Sequence, residues 1–138
     1  QGANDNEIDT IADFLAGIDA EIPWHVFRLL PEDEMKDAEY PNIQAIDAAL
    51  RSAREKLHYV YFHNFVGSDW VNTLCPACGS VVIERFSLGC GGDKLNRVLC
   101  KDDRCPGCGR KIRMVGEKSV SREEKKEVYG KSSKFKTK

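Results

Sequence analysis

Four cysteines fall into two matching units, Cys75-Pro76-Ala77-Cys78-Gly79 and Cys105-Pro106-Gly107-Cys108-Gly109. The two-residue gap lets both sulfurs of a unit turn toward one point, and four thiolates complete the tetrahedral sphere of zinc, with sulfurs about 2.3 Å from the ion. Pro76 and Pro106 stiffen the turns, and Gly79 and Gly109 permit the positive φ that follows. Residues 79–104 are enough for a strand, a loop and a return. Cys75, Cys78, Cys105 and Cys108 are therefore expected to hold one zinc ion. With every position taken by sulfur, none is left for water, so the ion is expected to be structural and not hydrolytic.

Cys90 and Cys100 lie outside this pattern. Cys100, Cys105 and Cys108 have the Cys-X4-Cys-X2-Cys spacing of plant-type two-iron ferredoxins, but that assignment leaves a member of the first unit unused. Cys90 and Cys100 are read instead as small apolar residues. The pairing of the other cysteines, without a secretory leader, argues for reduced thiolates in the cytoplasm and against disulfides. His25, His58 and His63 are read as structural imidazoles. No Gly-rich phosphate loop, Ser/His/Asp set or close carboxylate pair stands out.

The elements around the cysteines follow from hydrophobic spacing. Asp5 or Asn6 is placed to cap a helix carrying Ile8, Ile11, Leu15 and Ile18 at helical intervals. After Pro23, residues 24–30 are too apolar for a half-exposed strand and suit a buried parallel one. Pro41-Asn42 opens a second helix with Ile43, Ile46, Leu50, Ala53 and Leu57 along one stripe, leading into His58-Tyr59-Val60-Tyr61-Phe62, a sheet-favouring run. Strand, helix, strand makes a βαβ unit with a right-handed crossover. From Gly67 onward, short strands at 81–83 and 112–115 each follow a cysteine turn, with a Gly-rich loop at 89–92 between them. The fold class expected is α+β: a βαβ segment over 1–66, a four-cysteine ribbon over 67–116, and a disordered charged tail over 117–138.

Charge follows the same division. Residues 1–50 hold twelve acids and two bases, 51–117 eleven bases and seven acids, and 118–138 eight bases and three acids. A basic half attracts phosphate, yet its lysines and arginines form no nucleic-acid motif and read as solvated surface. No apolar run approaches the roughly 18 residues that span a membrane. Gln1-Gly2 reads as a cloning remnant and the chain as a fragment of something longer.

Three stretches together carry a family resemblance: Ile22-Pro23-Trp24-His25-Val26-Phe27-Arg28, then Tyr59-Val60-Tyr61 with Asn64, then Asn72-Thr73-Leu74 running into the first cysteine unit. The series continues through Ile83-Glu84-Arg85, Asn96 and the second unit, over about residues 8–115. It resembles the C-terminal end of the AmmeMemoRadiSam-system radical SAM enzymes, relatives of pyruvate formate-lyase activating enzyme. The resemblance implies a parent with a partial (β/α) barrel, a [4Fe–4S] cluster and S-adenosylmethionine. The cluster of that family is held by an N-terminal Cys-X3-Cys-X2-Cys motif, a spacing this sequence lacks. The chain would then be the last βαβ portion of the barrel plus its ribbon, structural and non-catalytic in isolation, binding neither parental cofactor. Its partners would be the rest of the barrel and a protein substrate. His25 and Arg28 would lie on a late barrel strand and line the parent's cofactor or substrate pocket. Cys90, Cys100, the longer Gly-rich loop and the lysine-rich tail depart from the family pattern.

Two other functions are compatible with the cysteine units. One is a free-standing ribbon that binds nucleic acid or a protein partner through its basic residues. The other is a rubredoxin-like electron carrier, since that family also ligates a single iron with two Cys-Pro-X-Cys-Gly units.

Overall fold

The computed structural model describes residues 5–116. The expected disordered tail lies outside that range, and so do the side chains of the expected Asp5 or Asn6 cap. Among the described residues the chain is a mixed α+β fold of two α-helices and five strands.

Helix α1, Asp5–Ile18, and helix α2, Ile43–Lys56, pack against each other. Asn42 starts α2: its side-chain oxygen accepts from the backbone N–H groups of Gln44 and Ala45, two of the donors a helix start leaves unpaired. The expected stripe of α2 is the one that packs inward, with Leu50, Ala53 and Leu57 fully buried. In α1 the stripe is turned from the expected one. Ile8 and Ala12 are buried with Leu15 and Ala16 beside them, while Ile11 and Ile18 face out. A small Ala12 meeting Ala53 in one core lets the helices approach closely, which the larger isoleucines would prevent. Lys56 bridges the helices at the surface, its Nζ 2.7 Å from Asp9 and 2.8 Å from Asp13.

Strand β1, Trp24–Phe27, pairs in parallel with β2, Val60–His63, so β1, α2 and β2 form the anticipated βαβ unit. The register sets Trp24 beside Val60, His25 beside Tyr61, Val26 beside Phe62 and Phe27 beside His63. Because side chains alternate along a strand, Trp24, Val26, Val60 and Phe62 share the face that packs on the helices. His25, Phe27, Tyr61 and His63 share the other. The expectation of a fully buried β1 is thereby corrected: His25 and Phe27 are exposed, because helices cover only one face of this narrow sheet.

The second sheet is antiparallel, with β4, Val81–Ser87, between β3, Thr73–Leu74, and β5, Asp93–Val98. Residues 112–115 were expected as a ribbon strand and are not one. Pairing there is limited to isolated bridges of Arg104 with Lys101 and Lys111, after which the chain runs outward to a fully exposed Val115. Ile112 nonetheless plugs a second small core with Cys75, Val82 and Cys105. Trp70, before β3, packs on the helical core and donates its indole N–H to Asp47.

Candidate metal centre and the adjoining cleft

The two cysteine units fold alike. In the first, Cys75 N–H donates to Ser80 O and Gly79 N–H donates to Cys75 O, each at 2.8 Å. In the second, Cys105 N–H donates to Arg110 O at 2.8 Å and Gly109 N–H to Cys105 O at 2.9 Å. Closing each turn needs a left-handed residue, and Gly79 and Gly109 supply it with φ of 72° and 74°. Each loop presents one buried cysteine, Cys75 or Cys105, and one exposed cysteine, Cys78 or Cys108.

The four sulfurs lie within 4.8 Å of one another. Cys75 Sγ is 3.6 Å from Cys108 Sγ, and Cys78 Sγ is 3.5 Å from Cys105 Sγ. Thiolates about 2.3 Å from a tetrahedral ion stand about 3.8 Å apart, so the cluster has the size that four-sulfur coordination requires. None of the six cysteines is in a disulfide. Gly107 N–H donates to Cys105 Sγ, and Ser80 Oγ lies beside Cys78 Sγ, each at 3.3 Å. The Ser80 hydroxyl, then the Ser80 backbone and the Cys105 sulfur, lower the Cys78 thiol to about 6. At Cys108 the Arg110 backbone favours the thiolate, but the Cys78 sulfur, burial and the other sulfurs raise it to about 12. One thiolate thus forms readily in the cluster and further ones are resisted, a repulsion that a divalent cation relieves.

Cys100 and Cys90 stay outside this cluster. Cys100 is half-buried against the ribbon core and Cys90 is exposed. The cluster is the expected one that uses both cysteine units whole, and the ferredoxin-like grouping with Cys100 does not form.

His25 and Arg28 go to different places. Arg28 turns from the ribbon: its backbone N–H and Nε donate to the Asn64 side chain and carbonyl, Asn64 Nδ2 donates back to Arg28 O, and its guanidinium lies 5.2 Å from the Phe65 ring centroid. His25 lines a cleft of about 760 Å³ between the two sheets, together with Tyr61, His63, Arg85 and Asp93. Its ring stacks on Tyr61 at 4.9 Å and lies edge to edge with His63, their centroids 4.8 Å apart. The His25 imidazole is lowered below its ordinary 6.5 by burial first, then by His63 and Arg85, against the opposing pull of Asp93.

Polar bonds join the sheets at this cleft. Tyr61 Oη and Thr73 Oγ1 share a buried hydrogen bond of 2.9 Å, and Arg85 Nη1 donates to Thr73 Oγ1 and Val71 O. His63 Nδ1 contacts the Asp93 carboxylate. Sequence spacing did not single out His63, Tyr61, Arg85 and Asp93 as a group. Only the parallel register, which pairs His25 with Tyr61 and puts His63 two residues further along the same face, and the turn that starts β5 at Asp93, bring them together.

No family model matches the chain, and no solved structure matches it. A protein of Methanocaldococcus jannaschii, itself described only as uncharacterised, is 34% identical over 96 residues. Those residues are 69% of this chain but 28% of that protein, so the chain spans well under half of its relative's length. Among the described residues no helix is long and apolar enough to cross a membrane.

Proposed function

We propose that the chain is a zinc-binding module from the C-terminal end of a radical SAM protein of the pyruvate formate-lyase activating type, in which the ion holds a small ribbon against the last βαβ unit of a partial barrel. The observation that carries it is the convergence of Cys75, Cys78, Cys105 and Cys108 to within 4.8 Å. Two further findings support it. The parallel β1–α2–β2 unit is the repeating element of a (β/α) barrel. In the M. jannaschii relative the matching segment is joined to a much longer chain.

The role of the ion is structural. Four sulfurs fill the sphere, and structural zinc in finger-like peptides contributes about 10–16 kcal/mol of apparent binding energy, which a ribbon core of Cys75, Val82, Cys105 and Ile112 does not match. When bound, zinc supplies cross-linking and charge neutralisation but no redox chemistry.

Elemental analysis of protein purified without added metal tests this reading. One zinc per chain and no visible absorbance is the expected result. Stoichiometric iron with the red colour of ferric thiolate assigns the site to electron transfer, and metal-free folded protein removes the proposal.

A further inference from the structure

His25 Nδ1 and His63 Nε2 stand 2.6 Å apart, and the opposite nitrogen of His63, Nδ1, contacts Asp93. These three side chains form a line across the cleft, from a carboxylate on β5 through one imidazole on β2 to a second on β1. With both imidazoles neutral, hydrogen-bond chemistry sets its polarity. A carboxylate accepts, so a neutral His63 carries its one proton on Nδ1 and presents a lone pair at Nε2. That lone pair takes the Nδ1–H of His25, and the lone pair of His25 is left on Nε2.

The same atoms could be suspected of holding a second metal, because a ligating histidine commonly donates its other N–H to a carboxylate. Distance speaks against this. Two nitrogens about 2.05 Å from one tetrahedral ion stand about 3.3 Å apart, whereas these are at hydrogen-bond separation. The one group of potential metal ligands among the described residues is the four cysteines.

We propose that the cleft is a proton-accepting site, in which His25 Nε2 is the terminal base of an Asp93–His63–His25 chain and takes a proton from an O–H or N–H group of a small polar ligand. In that step the ligand's O–H or N–H bond breaks and an N–H bond forms at Nε2. The positive charge on His25 is offset through His63 by the Asp93 carboxylate, and the ligand's negative charge faces the Arg85 guanidinium. Arg85 is held for this by Thr73 and Val71 and lies 5.6 Å from the centroid of Tyr61, the ring on which His25 stacks. Asp93 Oδ1 is buried with no hydrogen-bond partner among the described residues, so the cleft also offers an acceptor for a ligand donor. The charged and titratable groups lining the cleft with His25 are Tyr61, His63, Arg85 and Asp93, with Asp19, Glu21, Tyr59 and Arg113 also in its lining, and the partial desolvation of the His25 ring lowers its imidazole, which favours the neutral form a base requires. The site is separate from the four-cysteine centre and stands whether that centre holds zinc or iron.

Imidazole ¹⁵N NMR on the full metal-loaded chain tests the inference. Both His25 and His63 are expected as Nδ1–H tautomers at about pH 8. Asp93→Asn is expected to move His25, two hydrogen bonds away, toward the Nε2–H tautomer, while His58 and the ribbon amides keep their signals. Diethyl pyrocarbonate, which is attacked by a neutral imidazole nitrogen, should acylate His25 at Nε2, about tenfold more slowly in Asp93→Asn. Wild-type His25 in the Nε2–H form, a His25 tautomer indifferent to Asp93→Asn, or binding of a second zinc equivalent at the two rings overturns the proposal. If Asp93→Asn does not fold, the wild-type tautomers and acylation site decide by themselves.

Discussion

A β-carbon on Gly107 would come within 2.5 Å of Ser80 Oγ and 3.3 Å of Cys78 Sγ. The second cysteine loop therefore closes over the first with room for hydrogen alone. Gly107→Ala is expected to push the Ser80 hydroxyl off the Cys78 sulfur and to weaken metal binding by about tenfold, the lower end for lost outer-shell support. Competition with a chromophoric chelator measures this. Adding Ser80→Ala removes the atom the methyl meets first but also the hydroxyl beside Cys78, so the double variant should relieve the clash without recovering full affinity.

Metal removal should dissolve one core and spare the other. The smaller core consists of Cys75, Cys105, Val82 and Ile112, whereas the helical core draws on α1, α2, β1 and β2. Chelation, or Cys105→Ser, is expected to collapse the amide NMR dispersion of residues 70–115 while the amides of α2 stay dispersed. A spectrum unchanged by chelation contradicts a structural role for the ion.

Leu50 is fully buried between the helices and the parallel sheet. Leu50→Ala should cost about 2–5 kcal/mol by lost transfer energy and the cavity left behind. Denaturant titration of the metal-loaded protein reads the loss, and metal stoichiometry should not change.

Asn42 accepts from two backbone donors at the start of α2. Asn42→Ala is expected to cost about 1 kcal/mol, and Asn42→Asp to restore it, because the carboxylate can accept the same bonds and favours a helix N-terminus. The same denaturant titration resolves both.

Acid should destabilise the fold through His25. Its imidazole is lowered from 6.5 in the folded chain, first by burial, so as pH falls through that value the unfolded chain binds its proton before the folded chain does. Stability therefore rises with pH up to about 6.5 and is flat above it for this group. His25→Gln should flatten the part of the slope just below about pH 6.5 that His25 contributes, leaving the loss caused by thiolate protonation in both proteins. Parallel stability curves for the two proteins contradict this.

Much of the four-cysteine cluster was legible because its signal is local. Each cysteine unit fixes its own turn within five residues, and only the meeting of the two units needed the fold. Helix α2 was legible for the same reason, through the Asn42 cap and a stripe at constant period. The α1 stripe was not, because choosing between Ile11 and Ala12 depends on how closely α2 approaches. The segment at 112–115 carries strand-favouring residues, yet beyond the bridge at Lys111 no neighbouring strand pairs with it. The His25, His63 and Asp93 line was hidden most deeply, since it depends on strand register between β1 and β2 and on where a Gly-rich turn starts β5.

Each cysteine loop contributes half of the four-sulfur cluster, and the two halves are built on the same internal bonds. An ion held there would act as a rivet between two nearly interchangeable plates. If the backbone were cut in the Gly-rich turn at residues 89–92, reassembly of the two pieces would depend on metal concentration as well as on the paired strands, which would turn a fixed scaffold into a metal-gated heterodimer.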